Sequence, residues 1–415
     1  MTHVPHLLLQ LAVILGIARV LALLLRRLGQ PAVVGEMLAG FALGPIVFGA
    51  LAPELHARLF PSGGLAALEG LSQIGLVLFM FIVGAELRAP DGMRGRLDAA
   101  ARVGTFGVLL PMLLGLGIAP LLFERFAPTG VGYWPFALFI AVSLAITAFP
   151  VMARILKDQG LTRSPVGQLA LTAAAFADVL AWIMLAFVVA LIGAHDGWSG
   201  FLRTVAGLVA IALIGLGLLR PWIARALARH AADGRPGGAV LSGLLIGACV
   251  MAAATEWLGL HAVFGAFLFG ASLPRDDRLL DTLVERLEHV AVLMLMPVFF
   301  ALAGLNTSPD AFVGSGLVAL LLILIVSVVG KVAGAALAAR SAALPWREAF
   351  AVGALMNARG LMELIVMKVG LDAGVIGHEL FTMLMVMAIA TTLMTTPMLG
   401  AMLRDRHGKA RANPS

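Results

Sequence analysis

Apolar residues fall along this chain in long runs, separated by short connections that are polar and mostly basic. Runs of about 18–20 apolar residues match the length a helix needs to cross the hydrocarbon core of a bilayer. Windows of that size predict thirteen spanning helices, at about 6–25, 32–50, 65–87, 101–123, 134–156, 165–192, 201–220, 238–257, 259–274, 288–305, 313–339, 348–370 and 376–402. The ninth is short. Two spans carry a polar interruption at mid-depth. In the fifth, Ser143 to Pro150 sets Thr147, Phe149 and Pro150 just past the span centre. Pro150 has no N–H to give, so the carbonyl of Ile146 loses its helical partner. In the twelfth, Gly353 to Glu363 gathers Asn357, Arg359, Gly360 and Glu363 into one short stretch. Broken backbone at membrane depth is tolerated only inside protein or beside a wet cavity.

These two spans lie seven apart, an odd number, so they cross in opposite directions. Paired discontinuous helices of opposite orientation mark inverted-repeat secondary transporters, whose ion site sits at the crossing. No residue-level repeat accompanies the layout. The predicted fold is therefore an all-α polytopic membrane protein with inverted repeats and two discontinuous crossing helices.

Charges inside the spans then name the chemistry. Asp178 lies mid-way along the sixth span, in an otherwise apolar stretch. An ionised carboxylate at that depth costs about 2.5–3.5 kcal/mol or more, and chains keep one chiefly to bind a proton or cation in transit. Lys331, deep in the eleventh span, is as costly and is a natural counter-charge for it. Arg359 and Glu363 stand four apart on one helix face and can pair with each other. Arg19 and Glu86 fall near span ends and read as interfacial; Glu36 and His261, at span beginnings, read as structural. Met294, Met296 and Met383 read as apolar packing.

Composition agrees with the pattern. Of 415 residues 61% are hydrophobic and 13% charged, and mean hydropathy is +1.01, against about 45–50% and 25% in soluble domains. The net charge of +6 is spread between spans, which excludes nucleic acid as partner and points to membrane topology. With the N-terminus outside, 22 Lys and Arg residues fall on inside connections and four on outside ones. That asymmetry predicts N-out and C-in. Arg26 and Arg27 follow the first span instead of preceding it, unlike a cleaved leader. The stretch 1–403 reads as one transmembrane unit and 404–415 as a short basic cytoplasmic tail, too short to fold alone. Cys249 is the single cysteine and is expected to be a buried thiol. No catalytic triad, zinc motif or phosphate-binding loop is present, which argues against an enzyme and against direct use of ATP. A cation channel, or a transporter-derived sensor, is the rival reading; neither an acidic ring nor a filter-like carbonyl repeat supports the channel.

Several segments resemble the monovalent cation:proton antiporter-2 family of the sodium/proton exchanger superfamily. They are 29–36 through Pro45, 143–154, 174–182, 261–274, 296–306 and 356–370. The 143–154, 174–182 and 356–370 segments look nearest to plant-type cation/proton exchangers and their bacterial relatives. The resemblance implies a homodimer in a bacterial inner membrane, serving pH homeostasis without a cofactor. It implies dimerisation helices at about 6–87 and 238–305, core transport helices at about 101–192 and 313–402, and a linker helix at about 201–220. Asp178 and Thr147 would then bind the proton or the transported Na+ or K+, with Lys331 as charge partner and Phe149, Pro150, Asn357, Arg359 and Glu363 at the crossing. The family usually has two acidic or amide-plus-acid residues where this chain has Ala177-Asp178. Lys331 thus lacks its family partner, and one acid predicts electroneutral exchange of one proton for one cation.

Overall fold

In the computed structural model, residues 3–61, 63–86, 97–162, 164–192, 198–230, 237–258, 260–274 and 277–411 are described. Every described regular element is helical: α1 (His3–Arg27), α2 (Ala32–Leu43), α3 (Pro53–Leu59), α4 (Ala66–Glu86), α5 (Leu97–Phe126), α6 (Tyr133–Ala145), α7 (Phe149–Asp158), α8 (Pro165–Ile192) and α9 (Trp198–Leu213) in the first half. The second half holds α10 (Arg220–His230), α11 (Gly238–Trp257), α12 (Ala262–Ala271), α13 (Asp277–Leu283), α14 (Met296–Leu305), α15 (Ser315–Ser341), α16 (Trp346–Met356), α17 (Leu361–Asp372) and α18 (His378–Arg411). Short π-helical stretches continue several of them, as at Val284–Glu288 and Ala291–Leu295 between α13 and α14.

Eleven helices among the described residues are long and apolar enough to cross a membrane, and α16 with α17 makes a twelfth when the pair, bent by 45°, is counted as one span. The difference from thirteen lies at the ninth expected span. There α12 has ten residues, about 15 Å at 1.5 Å per residue, half the hydrocarbon thickness. The expected tail is not set apart from the last span, because α18 runs on to Arg411. Arg88, Arg94, Arg96, Arg163, Arg235 and Arg275, counted above among the inside charges, lie outside the described residues.

The chain divides into two compact units. Unit 1 comprises residues 1–18, 39–88 and 186–305. Its α4 packs against α12 and α14, and α11 against α12. Leu11, Ile14, Leu43, Leu68, Val298 and Leu302 form one of its apolar clusters. Unit 2 comprises residues 19–38, 89–185 and 306–415. Here α15 packs on α5 and α16, and α5 on α6.

Both broken spans belong to unit 2, and their second halves end alike. Gly160 after α7 and Gly374 after α17 take positive φ, +66° and +68°. In each the next residue's N–H returns to a carbonyl five back, Leu161 to Leu156 and Val375 to Gly370. This is the left-handed glycine stop that satisfies the last carbonyls of a helix.

Two packing expectations are corrected. Cys249 is exposed, because it sits on the side of α11 away from its buried residues Leu244, Ala248, Met251 and Ala252. Met294 is 41% exposed, whereas Met296 and Met383 are buried.

Candidate functional site

The first broken span supplies two helix ends that face each other. α6 stops at Ala145 and the chain runs extended through Ile146 (ψ 143°) and Ala148 (ψ 91°) before α7 begins at Phe149. A helix C-terminus leaves carbonyls without partners and carries partial negative charge. Two cations take them up. Arg359 donates to the carbonyls of Ser143 (3.0 Å) and Leu144 (2.6 Å), and Lys331 Nζ donates to that of Ala145. On the other side of the break, Pro150 falls in the first turn of α7, where a missing N–H costs nothing. The backbone N–H of Phe149, in that first turn, lies beside the Asp178 carboxylate. An anion at a helix N-terminus is the favourable match.

The second broken span closes on the first. α16 ends at Met356 and α17 begins at Leu361. The N–H of Ala148 donates to the carbonyl of Ala358 at 3.0 Å, joining the two breaks main chain to main chain. Thr147 Oγ1 donates to the carbonyl of Met356 at 3.3 Å. The hydroxyl of Thr392 lies 2.9 Å from the N–H of Arg359 and 2.7 Å from its carbonyl. Asn357 Nδ2 donates to the carbonyl of Thr391 at 3.3 Å. Helix α18 therefore holds the open backbone of the second break in place.

Four charged side chains are packed into this region. Asp178 is 3% exposed, and Lys331, Arg359 and Glu363 are fully buried. Arg359 and Glu363 form the expected pair at 2.8 Å, and Glu363, in the first turn of α17, also suits that helix's positive end. Arg359 donates a further bond to Ser327 Oγ, which in turn donates to Met387 Sδ at 3.2 Å. Lys331 Nζ donates to Thr147 Oγ1 at 2.6 Å. Among the described residues no ion pair joins Lys331 to Asp178; the ammonium instead rests on a hydroxyl and a carbonyl. Asp178 Oδ1, Asn357 Oδ1, Ser143 Oγ and Glu363 Oε2 are buried without a hydrogen-bond partner. Such atoms are rare in a finished core. Ala177 is 1% exposed and packs with Ala148, Ala174 and Met356 in an apolar cluster, so methyl packing fills the place of the family's usual first member.

Unit 2 thus holds all eight residues singled out at the sequence level: Thr147, Phe149, Pro150, Asp178, Lys331, Asn357, Arg359 and Glu363. Of the others, Arg19 is exposed and Glu36 buried, while His261 caps α12 by accepting the N–H of Val263. Ser327, Thr391 and Thr392 escaped sequence reasoning. For the threonines a signal was present: Thr391-Thr392 and Thr395-Thr396 repeat at helical spacing in the last span.

The family described as sodium/hydrogen exchanger, transmembrane, matches residues 12–405. The chain is 37% identical over 388 residues to a protein named Na(+)/H(+) antiporter NhaS4 of Synechocystis, covering 93% of this chain and 94% of that one. It is 34% identical to Cation/H(+) antiporter 17 of Arabidopsis thaliana, covering 99% of this chain and 50% of the relative. With K(+)/H(+) antiporter 1 of Saccharomyces cerevisiae the identity is 32%, over 89% of this chain and 43% of that protein. The chain therefore spans about half the length of the plant and yeast relatives. Among solved structures, that of the sodium proton antiporter MjNhaP1 from Methanocaldococcus jannaschii superposes with a TM-score of 0.68 at 15% identity, covering 96% and 98% of the two chains. That likeness fixes the fold.

Proposed function

The chain belongs to the sodium/hydrogen exchanger family, and from that premise we propose that it exchanges protons for Na+ or K+ across a membrane, with Asp178 holding each in turn. It is an integral membrane transporter and not an enzyme, and no cofactor enters its cycle. The observation that carries the reading is Asp178 itself. It is a carboxylate 3% exposed, mid-way along a spanning helix, with Oδ1 buried and unpartnered and the N-terminus of α7 beside it. Relatives are named for Na+/H+, K+/H+ and cation/H+ exchange.

One carboxylate carries one proton or one monovalent cation at full strength, not both. A bare charge in a dry seal is costly to move, whereas either loaded form is neutral at that position. Exchange then needs only that the empty site stays put, and it is electroneutral at one proton per cation. Unit 2, which contains every charged group of the site, is the body that carries Asp178 between two sides. Lys331 and Arg359 hold the end of α6, so the break keeps its shape while Asp178 is reloaded. The protein works as a homodimer in a bacterial plasma membrane, and with the short α12 counted as a thirteenth crossing its N-terminus is outside and its C-terminus inside. The basic residues at 26–27, 220–229 and 340–347 support that orientation.

Reconstitution of the full chain tests this. Asp178→Asn abolishes cation-driven proton flux while the protein elutes as folded material. In the wild type, protons and cation compete: where the proton outcompetes, a tenfold rise in proton concentration raises the half-saturating cation concentration about tenfold. Normal dye-reported flux in the Asn variant, or half-saturation indifferent to pH, sinks the single-site mechanism.

A further inference from the structure

The buried ammonium of Lys331 rests on two oxygens, and neither is a carboxylate. Nζ donates to the carbonyl of Ala145 and, at 2.6 Å, to Thr147 Oγ1. Both acceptors belong to the first break. The Ala145 carbonyl closes α6, where the partial negative charge of a helix end offsets part of a cation's charge. Thr147 is fully buried, and its hydroxyl has one hydrogen to give and two lone pairs. The hydrogen goes to the carbonyl of Met356 at 3.3 Å, in the second broken span. That settles the polarity of the pair: towards Lys331 the Thr147 oxygen accepts.

Three charged groups act on Lys331 from neighbouring elements: Arg359, Asp178 and Glu363. Arg359 repels it, and Glu363 is already paired with Arg359 at 2.8 Å. Asp178 keeps Oδ1 buried and without a hydrogen-bond partner. It is therefore the anion that an unheld ammonium would take. A flexible four-carbon stem lets a lysine head move between acceptors. Once on Asp178, the ammonium and an entering cation would compete for the same negative charge. Held in the break, it leaves that charge to the cation.

We infer that Thr147 is a positioning residue that keeps Lys331 off Asp178, and that it acts through Lys331 and not as a ligand of the transported cation. The inference rests on Asp178 being the transport site. It gives Thr147 a different task from the one the resemblance implies. The hydroxyl is an internal acceptor that ties down a rival cation, and its bond to Met356 holds the acceptor in place.

The test is binding of Na+ and of K+ to the detergent-solubilised full chain at fixed pH, read as the rise in melting temperature with cation concentration. Thr147→Val removes the hydroxyl and keeps the shape of the side chain. For whichever cation binds the wild type, half-saturation is expected to rise about tenfold, the size of one lost bond to a buried charge. Thr147→Ser keeps the hydroxyl and is expected to stay within about twofold of wild type. Lys331→Gln can still donate to the Ala145 carbonyl but carries no charge. In that background, Thr147→Val is expected to leave half-saturation where Lys331→Gln alone puts it. Thr147→Ala and Lys331→Met serve where a first variant does not fold. An equal rise in both backgrounds makes Thr147 a ligand or a strut of the site and overturns the inference. A Thr147→Val chain that binds like wild type overturns it too. Both results leave Asp178 standing as the transport site, whereas undiminished binding by Asp178→Asn overturns that reading and this one together.

Discussion

Unit 1 and unit 2 are each about half of one membrane protein; both contain close glycine contacts, and they differ in what is added to them. In unit 1 helices meet backbone to backbone. A Cβ placed on Gly40 would lie 2.0 Å from the carbonyl oxygen of Phe300, and one on Gly304 would lie 1.8 Å from that of Gly40. Gly84 and Gly270 repeat the arrangement with the carbonyls of Phe267 and Phe81. Small residues at such crossings give close van der Waals contact where lipid removes any hydrophobic drive for helices to associate. In unit 2 the ends of interrupted helices are bridged by buried cations and hydroxyls. Among the described residues, the buried charged side chains Glu36, Asp178, Lys331, Arg359 and Glu363 all fall in unit 2. Unit 1, with no fully buried charge among its described residues, rests chiefly on packing. Unit 2 adds a cluster of buried charge, which is the candidate site.

The largest expected effect strikes the packing of unit 1. Gly304→Leu forces a branched side chain into a backbone contact, and overpacking of this severity costs about 1–3 kcal/mol or more. Folded yield and melting temperature should fall sharply, while flux per folded molecule stays near wild type. If flux per molecule collapses instead, unit 1 is part of the transport chemistry and the contrast fails. Next comes Ala177→Asp, which sets a second carboxylate in the apolar cluster with Ala148, Ala174 and Met356. We expect a changed proton-to-cation stoichiometry, seen as flux that responds to membrane potential. An unchanged response at every potential removes Ala177 as the reason for electroneutral exchange.

Ser327→Ala is smaller. It takes one acceptor from a fully buried guanidinium, a loss of about 1–3 kcal/mol. A lowered melting temperature with flux slowed severalfold is expected, and Ser327→Thr should restore much of both. Smallest is Cys249→Ala, on the outward face of α11. A surface change of this kind stays within about 0.5 kcal/mol, so a larger drop in melting temperature would place Cys249 at a packed contact.

The sequence made the spans, both interruptions and the charged residues at mid-depth legible, because apolar run length and isolated charge are local signals. Arg359 with Glu363 was readable for the same reason, being four residues apart on one helix. What Lys331 rests on was not. Asp178 is the intuitive partner by charge, but the structure gives the ammonium to Ala145 and Thr147, and no spacing in the chain encodes a contact 184 residues away. Arg359 reaching Ser143, 216 residues distant, is equally silent. The side on which Cys249 lies was hidden because α11 is apolar all round, and a helix without an amphipathic stripe does not announce its outward face. The shortness of α12 was blurred by apolar residues that continue beyond its ends.

The bond from the N–H of Ala148 to the carbonyl of Ala358 has an evolutionary consequence. It is made by atoms that every residue but proline supplies on the donor side, and that every residue supplies on the acceptor side. Packing limits the residues that either buried position accepts, but the bond itself requires no particular pair of side chains. Only a proline at 148 removes the donor. This joint between the two breaks is thus one that side-chain identity alone does not record.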